Sequence, residues 1–167
     1  MGLRFRVDST PETLQDMSLA AEERFAEGLD LVTLDRHWSG VYLLGYSAEM
    51  NLKASFFRLG GERPSQQVKG LLAPARKMGE RFFPGVPCEL YHSLWFWCLM
   101  LRRRRRLLSR APDAHFRDSE LLRQTRRLHQ TWWVEMRYRP AQIQPSEAIV
   151  AVEAASWIRH HAVDFWR

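Results

Sequence analysis

The chain is poor in cysteine, in lysine and in long apolar runs. Its 167 residues include two cysteines, Cys88 and Cys98. On one helix they would stand roughly 15 Å apart, too far to bridge each other. No zinc spacing and no disulfide framework exists, so neither metal nor disulfide stapling is expected. The longest apolar run, Leu90 to Leu101, is broken by His92 and Ser93 and falls short of the roughly 20 residues that a bilayer requires. The first residues, MGLRFRVDSTPE, hold no apolar segment, and the expectation is a cytoplasmic protein without a membrane partner. Sustained period-two alternation of β-branched residues is absent, which argues against strands. The glycine pairs have no phosphate-loop pattern and read as helix stops. No cofactor is called for.

What is present is arginine. Lysines number three, Lys53, Lys69 and Lys77, in a total of 25 basic side chains. The net charge of +6 is uneven. Residues 1–60 carry six basic against nine acidic groups, whereas residues 101–140 carry twelve arginines against Asp113, Asp118, Glu120 and Glu135. Guanidinium suits bidentate pairing with phosphate or carboxylate. Two readings stand side by side: a solvated helix face with local ion pairs, or a surface that faces a polyanion.

With 46% hydrophobic and 26% charged residues, the chain has the balance of one globular domain over 1–167. The predicted architecture is an all-α, up-and-down bundle of about five helices. Ser9-Thr10-Pro11-Glu12 offers a capping box for a first helix that runs to about Thr33. Asp35 is expected to cap a second helix, with Val41, Leu44, Gly45, Ala48, Leu52, Phe56 and Leu59 on its buried face and Gly60-Gly61 as its stop. These two form a first helical hairpin over 10–59. Residues 60–87, rich in proline, read as an irregular connector with one or two short helices. An arginine-rich helical pair is placed over 88–138. Its first member runs from Cys88 to Arg110 with a stripe of Leu94, Trp97, Cys98, Leu101 and Leu108. Its second runs from Phe116 to Arg137 with Leu121, Thr125, Leu128, Trp132 and Met136 inward. A C-terminal helix capped by Ser146 fills 146–166, with Ala148, Ala151, Ala155, Ile158, Ala162 and Phe165 on one face.

Arg102 to Arg106 are consecutive, so at 100° per residue they cover more than a full turn and cannot all face solvent. Arg104 and Arg105 fall near the apolar seam. One of them must pair with a carboxylate or lie over an aromatic ring. Arg102, Arg103 and Arg106 are the candidates for an exposed patch. Trp95, Trp97, Trp132, Trp133 and Trp157 exceed what filling a small bundle needs. Exposed members would form a dimer face or a base-stacking platform.

Two segments carry a resemblance. Tyr42-Leu-Leu-Gly-Tyr-Ser-Ala-Glu49-Met-Asn-Leu-Lys53-Ala resembles the helix of HEPN domains in which an alanine- and glycine-rich face precedes a Glu–Lys pair four residues apart. Trp133-Val-Glu-Met-Arg137-Tyr138-Arg-Pro140, followed by Ser146-Glu147-Ala148, is similar to that family's Arg-Tyr-Pro step into its last helix, with Arg139 inserted before the proline. His92-Ser-Leu94 is similar to the opening of its third long helix. The resemblance covers most of residues 10–165 and implies a helical bundle, usually dimeric, associated with RNA or nucleotides. Many members are ribonucleases of toxin–antitoxin and defence systems or partners of minimal nucleotidyltransferases. On this basis Glu49, Lys53, His92, Arg102, Arg103, Arg106, Arg137 and Tyr138 are candidate nucleotide- or RNA-binding residues. Glu-x-x-x-Lys is also an ordinary helical salt bridge, His92 an ordinary core or first-turn histidine, and Arg137 with Tyr138 an ordinary turn anchor.

Catalytic members of the family pair an Arg with a His across a spacer of four to six residues, the His handling the proton and the Arg the phosphorane charge. Arg110–His115 and Arg123–His129 fit that spacing here and are the candidate catalytic pairs. With so many arginines such matches arise by chance. Arg110–His115 straddles Pro112, and a six-residue offset sets Arg123 and His129 about 240° apart around a helix. No arginine lies four to six residues before His160 or His161. The expected function is therefore binding of RNA or nucleotide by a homodimer, with a nucleotidyltransferase-like protein as a possible partner. The alternatives are a metal-independent toxin-type ribonuclease and a non-catalytic subunit that docks an acidic protein.

Overall fold

The computed structural model describes residues 13–86, 92–108, 118–133 and 143–167. Among these residues the chain is all-α, with no strand beyond an isolated bridge between Thr13 and Gln67. The helices are α1 (Leu14–Thr33), α2 (His37–Leu59), α3 (Lys69–Phe82), α4 (Leu94–Leu107), α5 (Asp118–Thr131) and α6 (Pro145–His160).

Helix α2 is the central element, packed on α1, α4 and α6 and touching α5, while α5 lies against α4 and α6. The expected stripe on α2 is buried from Val41 to Leu59, and the helix also encloses polar groups at Ser47, Glu49, Asn51 and Lys53. Small residues allow the close approach of its neighbours. A Cβ on Gly40 would lie 2.8 Å from the Gly28 carbonyl oxygen on α1, and a Cβ on Gly45 would fall inside the indole of Trp132. That indole donates to the Tyr42 carbonyl at 3.0 Å, tying the end of α5 to α2. Trp97 and Trp132 thus serve as core, whereas Trp133 is exposed.

Helix boundaries differ from expectation for local reasons. Thr13 caps α1, forming a capping box with Asp16, so the helix begins after the Ser9-to-Glu12 segment, which lies outside the described residues. Asp35 does not cap α2. It adopts φ 58°, and Arg36 takes the cap position without a side-chain bond; Asp35 completes the tight turn between two antiparallel helices. Gly60 ends α2 in the right-handed region, and the left-handed φ of +90° falls one residue later, at Gly61. The proline-rich connector holds α3, a 14-residue helix with Pro74 inside it. Gly79 of α3 gives the room, since a Cβ there would fall inside the Phe96 ring of α4. Helix α4 starts at Leu94 because the Ser93 hydroxyl accepts from the Phe96 N–H at 3.2 Å. Leu108 is 49% exposed and does not extend the stripe, because Arg105 takes the inward position. Gln144, not Ser146, caps α6 through a capping box with Glu147, and Pro145 follows at the first helical position. Cys88, Pro112, Met136 and Pro140 lie outside the described residues.

Candidate functional site

Two arrangements collect residues singled out from the sequence. The first is on α4. Arg102 makes a two-pronged contact with Asp118 at the start of α5. Arg106, 69% exposed, stands 3.5 Å from the same carboxylate. The guanidinium of Arg103 lies 3.7 Å over the ring of Phe82, and its Nε is buried with no hydrogen-bond partner among the described residues. Arg102, Arg103 and Arg106 converge with Phe83, Leu99 and Leu107 on a cleft of about 130 Å³ between the end of α3 and α4. Arg102 and Arg106 therefore share one carboxylate, and Arg103 has none among the described residues. The hydrogen bond from Arg102 holds the Asp118 carboxyl below its ordinary range and raises the Arg102 guanidinium in turn.

The two remaining arginines of the run turn inward, as expected from the seam. Arg104 lies 3.9 Å over Phe56 and donates to the Phe56 carbonyl at 2.8 Å; burial lowers its pKa from the ordinary value. Arg105 is 3% exposed and donates to the carbonyls of Asp164 and Phe165 at 3.0 and 2.8 Å, so it anchors the turn after α6. A buried cation is tolerated there because peptide carbonyls solvate it.

The arginines of α5 are differently disposed. Arg123 pairs with Glu120, Arg127 with Glu153 on α6 at 2.6 Å, and Arg126 lies over the ring of Trp95 at 5.7 Å. The local ion-pair reading holds for Arg123 and Arg127. His129 is exposed, with its pKa lowered by partial burial. The structure does not gather Arg123 and His129 into one site, since the arginine engages Glu120 and the six-residue offset turns the histidine away. Arg110, His115, Arg137 and Tyr138 lie outside the described residues.

The second arrangement is internal. Glu49, Lys53 and His92 come together although His92 is 43 residues away from Glu49. The Glu49 side chain is 1% exposed, receives the Lys53 ammonium and faces His92 Nδ1 at 3.0 Å, with His92 itself 25% exposed. Lys53 lies 5.6 Å from the centre of the Trp97 ring, and the Tyr46 ring meets His92 edge to face at 5.4 Å. Burial alone would raise the Glu49 pKa; the Lys53 charge and the His92 hydrogen bond outweigh it and hold the carboxyl below its ordinary value. With Nδ1 engaged, His92 presents Nε2 as its remaining polar atom.

The sequence did not reveal the role of Asp118 or of Phe82 and Phe83, because each reaches the α4 arginines from another helix. Among the described residues, no group of three or more His, Cys, Asp or Glu could hold a metal ion, and no helix is long and apolar enough to cross a membrane.

No family model, curated protein or solved structure matches this chain.

Proposed function

We propose that this is a HEPN-like protein that binds RNA or a nucleotide through its phosphates, at the cleft formed by Arg102, Arg103 and Arg106. The observation that carries the reading is the imbalance at that cleft, where three guanidinium groups converge and Asp118 answers one of them fully. Guanidinium groups with unused N–H donors bind phosphate oxygens in two-pronged fashion, and Phe83 in the cleft wall offers a ring against which a base can stack. The α5 arginines contribute long-range attraction more than direct contact, since Glu120 and Glu153 engage two of them.

The same proposal includes a homodimer and a nucleotidyltransferase-like partner, both carried by the resemblance. The exposure of Leu107 and Leu108 beside the arginines supports an apolar contact there. Glu49 and Lys53 act in this reading as a buried brace for His92, not as ligand contacts, because both side chains are enclosed.

Incubation of the purified protein with a single-stranded RNA oligonucleotide, followed on native and denaturing gels, tests the function. A retarded band with intact RNA is the expected result. RNA cleavage that is lost in His129→Ala would establish a ribonuclease instead. Absence of any shift at low salt would leave the docking of an acidic protein as the function of the patch.

A further inference from the structure

A second cleft, of about 490 Å³, opens on another face of the bundle, between α1, α2 and the turn after α6. Along α2 its wall carries Asn51, Ser55 and Arg58, which are spaced three and four apart and so share one face of the helix. Ser55 donates to the Ala162 carbonyl at 2.9 Å and fixes the wall to the turn. Leu14, Ala54 and Val163 supply the apolar middle.

The two ends differ in charge. At one, Arg159 of α6 is neutralised by Glu22 of α1 at 2.6 Å. At the other, Arg58 has no carboxylate among the described residues: it donates to the Glu62 carbonyl at 3.0 Å and lies over the Trp166 ring at 4.7 Å. Between them Asn51 is 6% exposed, and its amide nitrogen is buried with no hydrogen-bond partner among the described residues. A buried donor left unmet is destabilising. A cleft of this size, with an apolar middle and with Gln15 and Ser18 of α1 adding polar groups to its wall, has the dimensions of a small-molecule site.

The geometry points to a binding site for an elongated organic monocarboxylate, with its acid group on Arg58, an apolar body over Leu14, Ala54 and Val163, and a hydrogen-bond acceptor at its far end against Asn51. Seven residues of helix separate Asn51 from Arg58 and set the polar ends about 10 Å apart, the span of a chain of roughly eight carbons. The Arg159–Glu22 pair closes the far end with no net charge, so the anion can be held at one end alone. The site lies on other helices than the α4 arginine cleft and does not depend on it.

Isothermal titration of the full chain with 8-hydroxyoctanoate, octanoate and 1,8-octanediol tests the assignment. Saturable binding of 8-hydroxyoctanoate is expected, with octanoate weaker by about tenfold for the lost hydrogen bond and no binding of the diol. Arg58→Gln should abolish binding and Arg58→Lys retain part of it. In Asn51→Leu both carboxylates should still bind, now with equal affinity, whereas an unfolded variant would bind neither. Failure of both carboxylates to bind the unaltered chain, equal binding of the diol, or undiminished affinity in Arg58→Gln with unchanged helical circular dichroism would overturn it.

Discussion

His92 Nδ1 lies 3.0 Å from the Oε1 atom of Glu49, whose side chain is 1% exposed. This contact joins the segment that enters α4 to the middle of α2, and the Lys53 ammonium completes the charge balance of the carboxylate. A buried carboxylate held ionised by two partners makes stability depend on pH. Its folded pKa is below the ordinary value of 4.5, so its contribution is present above pH 4.5 and is lost as pH falls through the folded pKa. Glu49→Gln should cost about 3–5 kcal/mol at pH 7, the usual penalty for breaking a buried pair from one side. The variant should also flatten the acid limb of stability below pH 4.5, where Asp118, held low by Arg102, supplies the remaining slope. Urea unfolding of both proteins between pH 7 and pH 3 measures this.

Gly45 and Trp132 form a second fixed relationship. A Cβ at residue 45 would intrude into the indole, which is 1% exposed and bonded to the Tyr42 carbonyl. Gly45→Ala should therefore destabilise by about 1–3 kcal/mol through overpacking, more than the helix propensity of alanine restores. A fall in the thermal midpoint together with a red shift of tryptophan emission is the expected outcome.

Arg105 holds the C-terminal turn by two hydrogen bonds to peptide carbonyls. In Arg105→Met the aliphatic volume is kept and the donors are lost, leaving buried acceptors unmet at a cost of about 1–3 kcal/mol. Amide hydrogen exchange over residues 161–167 should accelerate more than exchange in α2, which is packed on four other helices.

Cys98 is fully buried in α4, and burial pushes its thiol up to about 11. The thiolate is the reactive form, so alkylation by iodoacetamide at pH 8, followed by peptide mass spectrometry at Cys98, should be slow in the folded protein. Prior unfolding in guanidinium chloride should accelerate it by at least about tenfold.

The α2 stripe, the inward face of α5 at Leu121, Thr125, Leu128 and Trp132, and the alanine face of α6 were legible because three-four periodicity is a local property. Part of the fate of the arginine run was legible too, since five consecutive residues exceed one turn whatever packs against them; Arg104 lies over Phe56 as the seam required. Of the expected exposed patch of Arg102, Arg103 and Arg106, Arg106 alone is exposed, because Asp118 draws Arg102 in and Phe82 takes the Arg103 guanidinium. The helix starts were less legible, because Thr13, Ser93 and Gln144 compete with neighbouring residues that cap equally well in isolation. Asp118 as the partner of Arg102 is set by the packing of α4 on α5, which no spacing encodes. The same holds for His92 at Glu49, a contact across 43 residues. Asn51 and Arg58 carried no sequence signal, since their cleft exists once α1, α2 and the turn after α6 are assembled.

The central claim is that the α4 cleft binds phosphate directly through Arg103 and Arg106, and the salt dependence of RNA affinity tests it most directly. Measured between about 50 and 200 mM salt, the slope of log affinity against log salt concentration should fall by about one for Arg103→Gln and again for Arg106→Gln, whereas Arg123→Gln, which removes a guanidinium paired with Glu120, leaves it nearly unchanged. A slope unaltered by the α4 substitutions, or one altered as much by Arg123→Gln, would contradict the account.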